Sequence, residues 1–197
     1  VALGQSLQKH CSGPTAAAHS LTYYNLGVRR ETSEDIAHRW KGEVLSRLPS
    51  GTENRLVFSF GTNDASLERG KPRVELPQTV QFTRQILRDA KFRFPTVMIG
   101  PPPIAGGLGG DLESDPEQNE RLGQVSQAIA AVCQEVGVPF LEVFTPLSKA
   151  PVWIQEVREN DGSHPRAGGY AQWANLVQAW EFWQTWFPKV PMDTSHR

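Results

Sequence analysis

The sequence predicts an α/β fold in which helices cover both faces of a parallel sheet. Three observations predict it. Short apolar runs alternate with longer segments of helical period. Most of the runs are rich in β-branched or aromatic residues, as strands buried on both faces are. Three of the four end at a glycine, where sheets of this kind place their working loops.

The strand candidates are residues 21–26, 56–60, 96–99 and 140–143; the first three stop at Gly27, Gly61 and Gly100. The first helix follows Thr32, with Asp35 three residues on as an acidic version of the capping box. Ile36, Trp40, Val44 and Leu48 then fall at roughly helical spacing, and Pro49 closes the segment. A second helix is expected over residues 77–93, with Val80, Ile86, Leu87 and Ala90 on one face. A third spans 119–136, ended by Gly137, and a last runs over 167–187. Residues 101–116, rich in Pro and Gly, read as one long surface loop. Right-handed crossovers leave few topologies, and the first choice is a doubly wound, flavodoxin-like three-layer α/β/α sandwich. Without a repeat or linker, residues 1–197 are expected to form a single domain.

Twenty basic and twenty-one acidic residues give a net charge of −1. That balance argues against nucleic-acid and anionic-membrane binding, which use a surface of one sign. Arg29-Arg30 and the basic residues of 84–93 read as solvated faces. Cys11 and Cys133 are too few for a disulfide framework or a zinc cluster, and fit a reduced, cytoplasmic protein or simply one that does not need bridges. No apolar run approaches the roughly 20 residues of a membrane helix, and the first residues do not resemble a signal peptide.

Four loops carry the unusual residues. Gly27, past the first strand, offers an unhindered N–H. In Gly61-Thr62-Asn63-Asp64, an Asn at a strand end can aim its amide at a developing negative charge. Gly100-Pro101-Pro102-Pro103 is a stiff turn able to wall a cleft. In Asp161-Gly162-Ser163-His164-Pro165, the Asp can fold back onto one imidazole nitrogen and leave the other to take a proton from a nucleophile.

The Gly27 turn, Gly61-Thr62-Asn63-Asp64 and Asp161-Gly162-Ser163-His164-Pro165 resemble three of the four signature blocks of the SGNH (GDSL-type) hydrolases, over residues 21–187. The resemblance implies a serine ester hydrolase without metal or organic cofactor, acting on a small-molecule ester through an acyl-enzyme. It makes His164 the general base and Asp161 its orienting acid. Gly27 N–H and Asn63 become oxyanion donors, with the nucleophile's own N–H as the third.

The family places its nucleophile in a Gly-Asp-Ser string ending the first strand. Here the only similar string is Gly4-Gln5-Ser6-Leu7. In one reading Ser6 is the nucleophile, with Gln5 in place of Asp. In the other the chain is truncated at its N-terminus and residues 1–11 belong to the helix after a missing block. Spacing favours truncation, because only eighteen residues separate Ser6 from Asn25. Foldability opposes it, because losing a central strand exposes unpaired edges. The competing functions are a catalytically inactive binding domain on the same scaffold and a flavodoxin-like nucleotide binder. Against the latter, no Gly-x-Gly-x-x-Gly or Gly-Lys-Ser/Thr string opens a helix.

Overall fold

A computed structural model describes residues 21–104 and 117–186. Helix α1 (Ser33–Leu45) starts as its sequence predicts: the Thr32 side chain accepts from Asp35 N–H, and the Asp35 carboxylate accepts from Thr32 N–H at 2.9 Å. These two bonds satisfy donors that a helix start otherwise leaves open. The helix stops at Leu45, and Leu48 packs on the core from the turn beyond it.

Strand β1 (Leu56–Ser59) is followed by a small antiparallel ribbon, β2 (Leu67–Glu68) and β3 (Lys71–Pro72). Its two-residue turn places Arg69 and Gly70 at φ 53° and 75°, the handedness a tight hairpin requires. Helix α2 (Leu76–Arg93) leads to β4 (Thr96–Ile99), and α3 (Gln118–Val136) leads to β5 (Phe140–Leu141). The order is β1-β4-β5, with both pairs parallel. Helices α4 (Phe144–Ser148), α5 (Pro151–Glu159), α6 (Ala167–Ala179) and α7 (Glu181–Trp186) complete the described chain.

Two apolar cores sandwich the sheet. Leu56 and Phe58 of β1 and Met98 of β4 pack with Trp40 and Val44 of α1, Ile86 and Leu87 of α2, and Leu122 and Ile129 of α3. On the other face, Val97 and Ile99 meet Leu147, Trp153, Val157, Val177, Trp183 and Trp186. Alternation along β4 sends successive side chains to opposite cores, so every residue of that strand is buried. The sheet is therefore parallel and covered by helices on both faces at β4, as predicted.

Three expectations change. Residues 21–26 form no strand: they have no ladder partner among the described residues, and Tyr23 and Tyr24 are exposed. A strand needs cross-strand hydrogen bonds, and composition alone does not supply them. The last helix is two, broken at Trp180, whose ψ of 118° lies outside the helical region. The break lets Trp183 and Trp186 join the second core. Finally, α4 and α5 were not expected; Trp153 and Val157, one turn apart, bury one face of α5.

Candidate active site

The site lies on loops at the carboxyl ends of the strands. Gly61, past β1, adopts φ 113°, and a Cβ there would come within 2.9 Å of Ile129 and 3.0 Å of Val125. Only glycine fits, so the chain can turn tightly over α3 and present the next three residues. Past β4, the Pro103 carbonyl accepts the Trp153 indole N–H at 3.0 Å, tying that loop to α5.

Helix α5 in turn positions the Asp161 turn. Gly162, at φ 78°, donates to the Val157 carbonyl at 3.0 Å. One Asp161 carboxylate oxygen accepts Ser163 N–H at 2.9 Å and His164 N–H at 2.7 Å. The other lies 2.7 Å from His164 Nδ1. Partial burial pushes the Asp161 pKa up, but the bonds from Ser163 N–H, the imidazole and His164 N–H outweigh it. The carboxyl is held below its ordinary value and stays charged at neutral pH. Asn160 Nδ2 donates to the His164 carbonyl at 2.9 Å, fixing the turn from the other side. No described residue bonds Nε2, and the His164 side chain is 54% exposed. A carboxylate on Nδ1 with an open Nε2 is the arrangement that a general-base histidine requires.

Asp64 anchors the Asn63 loop. It is fully buried and accepts Ser33 N–H at 2.8 Å, Ser33 Oγ–H at 2.5 Å and Thr79 Oγ1–H at 2.8 Å. The loop is thereby clamped to the first residue of α1 and the first turn of α2. Asn63 Nδ2 donates to the Glu31 carbonyl at 2.8 Å. That bond uses one amide hydrogen and leaves the second for a ligand.

Gly27 directly precedes the turn that runs from Val28 to Glu31, closed by Glu31 N–H on the Val28 carbonyl at 3.5 Å. The Gly27 N–H points at Asn25 Oδ1, 3.0 Å away. Within the turn, Arg30 takes φ 69°, a left-handed conformation that non-glycine residues rarely adopt. The structure thus brings His164 to Asp161 and sets Asn63 against the Gly27–Glu31 segment, with no hydrogen bond between the two pairs. Ser6 and the Gly4-Gln5-Ser6-Leu7 string lie outside the described residues, as does most of the 101–116 loop.

Sequence reasoning missed three contributors. Asp64 was read only as part of a turn motif. Arg39 holds Glu31 and the Leu26 carbonyl across the α1 N-terminus, a spacing that no helical pairing rule flags. Tyr170 lines a groove of about 470 Å³ together with Gly27, Leu26, Trp40, Phe60 and Trp173. Burial, and then the Asp161 charge, raise the pKa of the Tyr170 hydroxyl. Among the described residues no cluster of His, Cys, Asp and Glu could hold a metal ion. No described helix is long and apolar enough to cross a membrane.

The model of the GDSL-like lipase/acylhydrolase family matches residues 4–172. No curated protein sequence matches significantly. Solved structures share the fold. A lipase/acylhydrolase from Enterococcus faecalis superposes with a TM-score of 0.68 at 19% identity, over 89% of this chain and 82% of that one. An acetylxylan esterase from Geobacillus stearothermophilus gives 0.61 at 18% identity, over 77% and 68%. A GDSL-like lipase from Parabacteroides merdae gives 0.65 at 19% identity, over 93% and 78%.

Proposed function

Because the chain belongs to the GDSL-like lipase/acylhydrolase family, we propose that it hydrolyses small carboxylic esters through an acyl-enzyme, with His164 as the base. The observation that carries this reading is the 2.7 Å bond between Asp161 and His164 Nδ1, beside an Nε2 with no described partner. Asp161 holds the imidazole in one tautomer and steadies the positive charge that forms on it. Nε2 takes the nucleophile's proton as its oxygen attacks the ester carbonyl carbon. Negative charge then gathers on the carbonyl oxygen, and the second Asn63 N–H and the Gly27 N–H donate to it. Gly27 can donate once the Asn25 amide rotates away. The imidazolium then protonates the departing alcohol, and water clears the acyl group by the same steps. The likeness to acetylxylan esterases supports short acyl groups, acetate first.

For the nucleophile, the family match beginning at residue 4 supports Ser6, because it takes in the Gly4-Gln5-Ser6-Leu7 string. The short spacing from Ser6 to Asn25 supports the second reading, a nucleophile upstream of Val1. A serine-directed phosphonate followed by peptide mass spectrometry decides between them. A label on Ser6 establishes the first, and an unlabelled, inactive chain that regains turnover with its upstream segment establishes the second. Hydrolysis of a chromogenic acetate, abolished by His164→Ala, tests the enzyme reading. A folded chain that never turns over, with any upstream segment restored, would instead be a binding domain on this scaffold. Loss of one oxyanion donor in Asn63→Ala should slow the chemical step by roughly a hundred- to a thousandfold.

A further inference from the structure

We propose that Arg39 is the positioning residue for the oxyanion donors: its single guanidinium braces both ends of the Leu26–Glu31 segment, which carries Gly27 and seats Asn63. The inference rests on the oxyanion reading above. From α1, Arg39 Nη2 donates to the Leu26 carbonyl at 2.7 Å. Its Nε reaches the two Glu31 carboxylate oxygens at 2.6 and 2.7 Å, and Nη2 also bonds one of them. The two side chains are only 26% and 16% exposed, so solvent screens the pair weakly.

What this bracing does follows from peptide geometry. The Leu26 carbonyl and the Gly27 N–H belong to one planar trans peptide group, in which oxygen and hydrogen point in opposite directions. Fixing the oxygen on Arg39 therefore fixes where the Gly27 N–H aims. At the other end, the Glu31 residue held by its carboxylate offers its own backbone carbonyl to Asn63 Nδ2. One cation thus sets the direction of both donors. Arg73 Nη1 adds a bond to the Arg30 carbonyl at 2.7 Å but touches neither donor's peptide. A lysine keeps the charge but lacks the planar fork, so it cannot reproduce the two-nitrogen grip on Glu31 and the Leu26 carbonyl.

The test compares Arg39→Lys and Arg39→Gln with wild type, using ¹⁵N-labelled protein and ester turnover. In both variants the Gly27–Glu31 amide signals and the Asn63 side-chain amide pair should shift, and the Asn63 amide protons should exchange faster. The Trp153 indole N–H, bonded to Pro103 outside the turn, should stay in place. Turnover should show kcat reduced roughly tenfold to a hundredfold, the usual cost of a small misplacement. KM should stay within about twofold, and adding Arg39→Gln to Asn63→Ala should cost much less than it does alone. If Arg39→Gln does not fold, Arg39→Lys carries the comparison. Unmoved Gly27 and Asn63 signals in a folded variant overturn the proposal whatever the rates. Moved signals in a wild-type background where Asn63→Ala keeps full kcat would instead overturn the oxyanion reading and leave the bracing intact.

Discussion

Asp161 does two jobs with two oxygens. One ties the turn through Ser163 and His164 N–H, and the other binds the imidazole. Asp161→Asn keeps the size but offers its amide N–H or its carbonyl where the charged oxygen stood. Turnover should fall by about three to four orders of magnitude, with KM little changed, in steady-state kinetics. The lowered pKa also carries a sign. A carboxyl whose pKa is depressed in the folded state stabilises the fold above its unfolded value, about 3.9. That contribution is lost as pH falls through the folded value. Wild type should therefore lose stability margin over Asp161→Asn as pH falls below about 4, in urea melts. Arg30 is the opposite kind of residue, exposed and held at φ 69°. A left-handed non-glycine residue costs about 1–2 kcal/mol, and glycine loses about 0.5–1 kcal/mol more chain entropy on folding. Arg30→Gly should thus stabilise the protein by about 0.5 kcal/mol, read as a small rise in the urea midpoint. A drop would mean that the Arg30 side chain makes contacts worth more than its strain.

At the level of elements, Asp64 is the joint between β1, α1 and α2. Its three donors come from Ser33 and Thr79, with no cation among them, so the loop depends on hydrogen bonds alone. Asp64→Ala would leave a buried N–H and two hydroxyls unsatisfied. Bonds to a charged group are worth about 1.5–3 kcal/mol each, but they overlap here, and a loss of about 3 kcal/mol is expected by chemical denaturation. Elements also show what sequence can carry. Strand β4 and the α1 capping box were legible, because each is determined by a few neighbouring residues: four buried residues, three of them β-branched, in one case, Thr32 and Asp35 in the other. The His164–Asp161 pair was legible for the same reason, since three residues close the turn. Residues 21–26 were misread because strand formation depends on a distant partner. Helices α4 and α5 escaped notice because they are short, and the burial of Trp153 depends on β4 and α6 rather than on its own neighbours. The Arg39 brace was illegible because it joins a helix to the loop before it across thirteen residues, from Arg39 to Leu26.

For the molecule as a whole, the parallel sheet governs how the chain reaches this state. Leu56 pairs with Thr96 and Met98 with Phe140, so each ladder joins positions about forty residues apart. Neither ladder can form until α2 or α3 has carried the chain back across the same face, and the entropy of closing those loops is lost before any cross-strand bond repays it. Helices alone can appear within about a microsecond. Stopped-flow refolding should therefore show helical signal ahead of the near-ultraviolet aromatic signal, to which Trp40 contributes by packing edge-on against Phe58. The rate-limiting phase should fall in milliseconds to seconds. Coincident sub-millisecond recovery of both signals would show that the strands are not what the chain waits for. The same closure sets the order in which the active site becomes competent: the Asp161 turn is local and forms early, whereas the Asn63 loop acquires its clamp only when α1, β1 and α2 have met. If the proposed mechanism holds, refolding should restore the proposed base before the proposed oxyanion donors.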